Sequence, residues 1–257
     1  MNMTEKSNDM TGSSSFTEFP AKFAIILCGG SGKRAGGTLP KQFVEVDKVP
    51  VLAHSMRTFH LQDNETKIIL VLPEEYVDYW NEVWENLDRT PTLKSFKIPH
   101  IAVVGGSSRM NSVMNGLKAV NELMGENDRD AMVAIHDGAR PYLNQRLLVR
   151  GWRKCLEAGT AIPAVPLTDS IRMLKGEGDA ESVAVDRSRY VAVQTPQIFR
   201  LSLLNEAYSN LPEGVEFTDD ASVVERIVPC ELYQGDSFNT KITNPRDLKI
   251  ARTLLKL

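Results

Sequence analysis

At 257 residues, with 42% hydrophobic and 25% charged side chains, the chain has the apolar content of one large folded domain or two small ones. Its net charge of -3 excludes the broad basic field that non-specific nucleic-acid binding requires, so any cation cluster must be local. Cys28, Cys155 and Cys230 are far apart and form no C-x-x-C, which argues against a disulfide framework and a structural zinc site and fits a reducing cytoplasm.

Residues 1–20 are rich in Ser, Thr, Asn and charge and have no apolar h-region. They read as a disordered tail rather than a signal peptide or membrane anchor, ahead of a single domain over residues 21–257. No apolar run nears the length of a membrane span, so no membrane partner is expected. Phe23–Leu27, Lys67–Leu72, Ile101–Val104 and Ala131–Ile135 are short apolar runs with the look of strands covered on both faces.

Directly after the first run, Cys28–Lys41 gathers Gly29, Gly30, Gly32, Gly36 and Gly37 with Lys33, Arg34 and Lys41. Glycines let backbone N–H groups approach phosphate oxygens and converge into an anion-binding nest, and the cations add charge. A dinucleotide fingerprint is loosely matched by Gly30, Gly32 and Ala35, but a helix must open at its end, and Gly36, Gly37 and Pro40 suppress helix. A P-loop is excluded because Arg34 stands where Ser or Thr would meet magnesium. The bland reading is a glycine-rich surface turn. Cys28, small and at a strand end, reads as buried rather than nucleophilic.

Between the strands lie helical patterns. Pro50 precedes Val51, Leu52, Ser55, Met56 and Phe59, and Pro73 precedes Tyr76–Leu87. Met110, Val113, Met114, Leu117, Val120 and Met124 predict an amphipathic helix facing a core. Alternating strands and helices imply an α/β fold, a Rossmann-like and mostly parallel sheet with helices on both faces and ligands at the carboxyl ends of the strands. Three polar loops fall at those ends: Cys28–Lys41, Gly105–Arg109 and His136–Pro141.

Further on, Leu167–Lys175 and Glu181–Val185 predict a projecting β-hairpin arm within about 167–190. Thr218, Asp219 and Asp220 ahead of Ala221–Ile227 read as a capped helix with acids in its first turn, and Asn244 and Pro245 open a last helix.

Eight segments, in this order, resemble the cytidylyltransferases that make diphosphocytidyl-methylerythritol in non-mevalonate isoprenoid synthesis. They are Gly-Gly-Ser-Gly-Lys-Arg34 with Leu-Pro-Lys-Gln42, Val-Gly-Gly-Ser-Ser-Arg109 with Ser112, His-Asp-Gly-Ala-Arg-Pro141, Pro-Leu-Thr-Asp-Ser170, Val-Asp-Arg187, Gln-Thr-Pro-Gln197, Thr-Asp-Asp-Ala-Ser222 and Asn-Thr-Lys241. The resemblance spans residues 22–255 and implies a nucleotide-diphospho-sugar transferase fold that joins CTP to methylerythritol 4-phosphate, with magnesium, and releases pyrophosphate. By the same resemblance Arg34 and Lys41 match catalytic residues, and Asp137 a carboxylate near the metal. Arg187, Lys241, Ser170 and Thr218 match acceptor contacts, and Arg140 is placed with them. Gly30, Gly106, Ser107 and Ser112 match nucleotide contacts, and Cys28, Gly29, Arg109 and Gly138 are placed in the same CTP site. The resemblance further implies a homodimer whose arms exchange, so that Ser170 and Arg187 act in the neighbouring site.

The residue types suit that chemistry. A phosphate monoester is largely ionised near neutral pH, its second pKa being about 6, so attack on the α-phosphorus needs no general base. It needs fixed cations and a metal as the phosphorus becomes pentavalent. Asp137 suits a hard magnesium ligand, or else caps a turn or pairs with Arg140. His136 reads as packed rather than ligating.

Ser107 or Ser112 caps the Met110–Met124 helix or contacts the base, Ser112 being the better base ligand. For Arg140, Arg187 and Lys241 the plain alternative is a structural or solvated charge. Ser107 replaces the Asp common in the family and Ser170 the Thr, and Gly36 and Gly37 replace bulkier residues. The 84–100 connection has no functional account. The rivals are a ribitol 5-phosphate cytidylyltransferase, a nicotinamide oxidoreductase and a silent nucleotide-binding regulator.

Overall fold

The computed structural model describes residues 20–29, 39–89, 91–124, 131–176, 178, 181–212 and 214–255. Apart from Pro20 the expected tail lies outside the described residues, as does the middle of the glycine loop, including Gly30 and Arg34.

The chain begins with β1 (Lys22–Leu27), then the small ladder of β2 (Glu45–Val46) and β3 (Val49–Pro50), and α1 (Val51–Gln62) starting directly after Pro50. Next come β4 (Lys67–Leu72), α2 (Val77–Asn86), α3 (Pro91–Lys94) and β5 (Ile101–Val104). The sequence continues through α4 (Arg109–Leu123), β6 (Met132–Asp137), α5 (Gln145–Ala158) and β7 (Thr160–Pro166). Then follow β8 (Arg172–Leu174), β9 (Ser182–Ala184), β10 (Val191–Val193), β11 (Gln197–Arg200), α6 (Leu201–Ser209) and α7 (Asp220–Val224). β12 (Leu232–Gln234) and α8 (Pro245–Leu254) close the fold.

Eight strands form one sheet in the order β10-β7-β11-β6-β1-β4-β5, with β12 also paired, in parallel, to β7. The β6-β1-β4-β5 half is parallel, and β11 joins it antiparallel to β6. From β1 the chain builds outward through β4 to β5 and then returns to the other side of β1 with β6. That reversal opens a crevice at the carboxyl ends of β1 and β6.

The side-chain alternation of the strands decides the layers. Ala24 and Ile26 of β1, Ile68, Leu70 and Leu72 of β4, and Met132 and Ala134 of β6 pack toward α1, α2 and α5. Phe23, Ile25, Leu27, Ile69, Val71, Val133 and Ile135 point the other way, toward α4, α6 and α7. These strands are buried on both faces, each Leu or Ile contributing about 1.5–3 kcal/mol.

Several expectations need correction. β5 is an edge strand covered on one side, with Ile101 40% and Val104 44% exposed. In α4, Val113, Leu117 and Val120 face the core, but Met114 is turned to solvent because the stripe is narrower than the apolar spacing suggested. The hairpin strands are confined to β8 and β9, and residues 167–171 carry no strand. α7 ends at Val224, short of Ile227.

The 84–100 connection is structural. Trp80 Nε1 donates to His100 Nε2 at 2.8 Å, Trp84 Nε1 donates to the Ile98 carbonyl at 3.2 Å, and Phe96 and Ile98 are buried against the α1–α2 layer.

Candidate active site

A cleft of about 820 Å³ lies over the carboxyl ends of the parallel strands. Its wall carries Gly29, Lys41, Gly106, Ser107, Arg109 and Ser112 from the early loops, and Asp137, Arg140, Thr218 and Lys241 from later ones. Residues drawn from segments over two hundred positions apart thus meet at one edge of the sheet, as the strand order requires.

The first loop is closed at its base. Gln42 is buried, and its Nε2 donates to the Cys28 carbonyl and, at 3.1 Å, to the Gly29 carbonyl. This clasp ties the loop's exit to its entry and sets Lys41 in the cleft wall. Cys28 is fully buried, and burial pushes its thiol pKa well above the ordinary value, so it supplies no thiolate.

In the second loop Ser108, not Ser107 or Ser112, caps α4, its side chain accepting the Asn111 N–H. Ser112 Oγ donates to the Ser108 carbonyl at 2.9 Å and accepts the Gly106 N–H at 3.1 Å, while Ser107 Oγ accepts from Asn111 Nδ2 at 2.9 Å. A Cβ on Gly106 would lie 2.3 Å from Asn111 Cβ, so the loop can fold onto the helix only as glycine.

Arg109 grips the fully buried Asp220 through two bonds, Nη1–Oδ1 at 3.0 Å and Nη2–Oδ2 at 2.5 Å, and Tyr208 adds its hydroxyl at 2.6 Å. Burial opposes the charge on Arg109, but Asp220 outweighs it and raises the guanidinium pKa. Burial and the same carboxylate push the Tyr208 pKa up, so the phenol stays a donor.

In the third loop Asp137 Oδ2 accepts from Lys241 Nζ at 2.9 Å and faces Arg140 Nε at 3.4 Å. Burial would raise this carboxyl's pKa, yet Lys241 and Arg140 hold it down at about 2, so Asp137 is ionised at neutral pH. Arg140 also donates to the Asn239 carbonyl at 2.8 Å. Gly138, just past β6, packs tightly on the end of β1: a Cβ there would lie 2.9 Å from Cys28 Sγ and 3.0 Å from the Leu27 carbonyl oxygen.

His136 is fully buried, and burial lowers its pKa to about 4. The Arg140 carbonyl can only accept, so Nε2 carries the proton and donates to it at 3.2 Å, and Nδ1 accepts from Thr195 Oγ1 at 3.1 Å. It is a packed neutral histidine, off the cleft wall.

Ser170 and Arg187 do not join the cleft of their own chain. Both are exposed, near the hairpin base, where Arg187 Nη1 donates to the Thr168 carbonyl. The helix behind Thr218 is capped by Asp219, which accepts the Ser222 N–H at 3.0 Å.

Sequence reasoning gave no site role to Gln194, Thr195 or Gln197, and read Asp219 and Asp220 only as first-turn helix acids; of these, Gln194, Thr195, Gln197 and Asp219 line the cleft, and Asp220 is buried behind it. The signal was their place inside the quoted Gln-Thr-Pro-Gln197 and Thr-Asp-Asp-Ala-Ser222 segments. Among the described residues no group of three His, Cys, Asp or Glu side chains could cage a metal. A magnesium ion that arrives on nucleotide phosphates needs only one or two protein carboxylates, and ionised Asp137 in the cleft wall fits that requirement.

The profile of the 2-C-methyl-D-erythritol 4-phosphate cytidylyltransferase family matches residues 23–257. The chain is 40% identical over 233 residues to the protein of that name from Bacteroides fragilis, covering 90% of this chain and 98% of the relative. The Bacteroides thetaiotaomicron protein of that name is also 40% identical, over 237 residues, covering 90% of this chain and 98% of its own length. A crystal structure of 4-diphosphocytidyl-2C-methyl-D-erythritol synthase superposes with a TM-score of 0.72 at 28% identity, covering 92% of this chain and 100% of that one.

Proposed function

Because the chain belongs to the 2-C-methyl-D-erythritol 4-phosphate cytidylyltransferase family, we propose the following division of labour in its cleft. The enzyme is a cytidylyltransferase that joins CTP to 2-C-methyl-D-erythritol 4-phosphate, giving 4-diphosphocytidyl-2-C-methyl-D-erythritol and pyrophosphate for isoprenoid synthesis. The observation that carries this division is the meeting of Lys41, the Gly106–Ser112 turn, Asp137 and Lys241 around one cavity.

The triphosphate lies over the first loop, with Cys28, Gly29 and Gly30 offering backbone and Lys41 and Arg34 addressing the α-phosphate. The base sits against Gly106, Ser107 and Ser112, whose turn is rigid because Ser112 bonds both Gly106 and Ser108. Gly138 lets the third loop pack close enough to face the ribose, and Arg109 braces this side through Asp220. Asp137 would hold magnesium, which would neutralise charge on the nucleotide's phosphates.

Thr218, Lys241 and Arg140 hold the acceptor. Its phosphate oxygen attacks the α-phosphorus without a general base, and pyrophosphate departs. The neutral, buried His136 takes no proton from the acceptor.

The enzyme works as a homodimer in which Ser170 and Arg187 serve the neighbouring site. Their exposure outside their own cleft supports this, as do the 58% exposed Met173 and Leu174 on the hairpin. The free cysteines Cys28, Cys155 and Cys230 support a cytoplasmic location. No helix among the described residues is long and apolar enough to cross a membrane.

The test is pyrophosphate release with magnesium and CTP, offering methylerythritol 4-phosphate or ribitol 5-phosphate, and then UTP in place of CTP. Turnover with CTP and methylerythritol phosphate is expected. Turnover with ribitol phosphate alone would overturn the acceptor assignment.

A further inference from the structure

Between β10 and β11 the chain passes along the rim of the cleft through Gln194, Thr195 and Pro196 into Gln197. The three polar side chains of this segment are only 5%, 5% and 1% exposed. Such burial is unfavourable unless every one is hydrogen-bonded. Each is, and each reaches a different loop.

Gln194 clasps Asp236 at two points: its Oε1 accepts the Asp236 N–H at 3.1 Å, and its Nε2 donates to the Asp236 carbonyl at 2.8 Å. Asp236 opens the turn that delivers Lys241, since its carbonyl also accepts the Asn239 N–H at 2.9 Å. Thr195 Oγ1 accepts the Asp137 N–H at 3.0 Å and donates to His136 Nδ1 at 3.1 Å, and the Thr195 carbonyl accepts from Asn239 Nδ2 at 2.8 Å. Gln197 Oε1 accepts the N–H groups of Asp220 and Ala221 at 3.1 and 2.9 Å, and its Nε2 donates to Asp219 Oδ2 at 2.8 Å. That grip holds the residues immediately after Thr218.

We propose that Gln194, Thr195 and Gln197 form one positioning hub that sets Lys241, Asp137 and Thr218 in register with each other and so decides how well the phosphorylated polyol fits. The hub rests on the assignment of those three residues to the acceptor and metal side of the cleft. Its own polar atoms are engaged by protein groups, which makes these positioning rather than catalytic residues. The two amides are required by function as well as size. A side chain that both donates and accepts can hold the N–H and the C=O of one residue, as Gln194 does at Asp236, and a carboxylate in its place would face Asp219 or the Asp236 carbonyl with no donor.

Because all three side chains issue from one four-residue segment, the loops share a single reference point. In the nucleotide turn Gly106, Ser108 and Ser112 are held by bonds within the turn. Its tie toward the hub runs through Arg109, which meets the Asp220 carboxylate, whereas Gln197 holds the Asp220 backbone N–H.

The experiment is steady-state kinetics of the full chain with CTP and methylerythritol 4-phosphate, for Gln194→Glu, Gln197→Glu, the uncharged Gln197→Met, Thr195→Val and Thr195→Ser. Thermal melting follows folding, and calorimetric titration with a non-reacting CTP analogue follows the nucleotide site. Loss of one hydrogen bond predicts a roughly tenfold rise in KM for the acceptor, with KM for CTP held within about twofold. Thr195→Ser should return the acceptor KM to near its original value.

A parallel rise in both KM values, losses that merely follow the folded fraction, or Thr195→Ser no better than Thr195→Val would overturn the hub. Absence of turnover by the unsubstituted protein would overturn the functional reading, and the hub with it. Turnover with an unsplit response would overturn the hub alone.

Discussion

The two walls of the cleft are built by different means. On the nucleotide side the contacts are short-range: Ser112 bonds Ser108 four residues back and Gly106 six residues back, and Gln42 reaches Gly29 across thirteen. On the acceptor side Gln197 reaches Asp219 across 22 residues, Gln194 reaches Asp236 across 42, and Thr195 reaches Asp137 across 58. A local loop is specified by its own glycines and caps, whereas a wall of distant segments exists only once the sheet has formed. Arg109 and Asp220, 111 residues apart, stitch the two walls together.

That contrast can be broken most forcefully at the stitch. Asp220→Ala leaves the Arg109 guanidinium without its partner in a largely buried site, and about 3–5 kcal/mol of stability should be lost. Urea unfolding midpoints with an unchanged m value would measure it. A loss below about 1 kcal/mol would mean that the walls stand independently.

On the nucleotide side, Lys41→Ala should lower kcat by roughly 100- to 1000-fold while changing CTP affinity little, since the developing charge is greatest in the transition state. An equal loss in both, read from kcat and a separate CTP titration, would make Lys41 a ground-state contact.

Acid should loosen the acceptor wall. Folded His136 protonates at about 4 and an unfolded histidine near 6.5, so between those values the unfolded chain binds more protons. Stability therefore falls as pH drops from about 6.5 towards 4, by up to about 1.4 kcal/mol per unit for each such histidine. His54, also buried with its pKa lowered to about 4, adds to the slope. Unfolding midpoints at pH 7, 6 and 5 should decline steadily, and a flat profile would contradict the buried neutral state. The smallest effect is local: Ser108→Ala removes the α4 cap and should cost about 1 kcal/mol in the same assay.

Much of the architecture was legible in the sequence because β1, β4 and β6 are apolar on both faces and prolines stand ahead of the helices that follow β1 and β4. β5 escaped that reading: four apolar residues look alike whether the strand is central or at an edge, and only pairing decides. The loops of the site were legible through their glycines and cations. Ser108 was passed over as the cap because three serine hydroxyls near one helix start are equivalent until the backbone bends. Gln194, Thr195 and Gln197 carry no charge and no periodicity, and their partners lie tens of residues away. Asp220 looked like an ordinary first-turn acid, and its role depends on Arg109 arriving from another helix.

The three tryptophans all belong to a single layer. Trp80 and Trp152 are buried between the sheet and the α1–α2–α5 side, with Trp84 packed beside them. Indole emission from this protein therefore reports only one of its two cores and is silent on the side occupied by α4, α6 and α7. His100, in edge contact with both Trp80 and Trp84 at 5.6 Å between ring centroids, is a built-in quencher once protonated. A fluorescence melt and a far-UV dichroism melt that coincide would show that both layers open together, and a gap between them would reveal which sheet face lets go first.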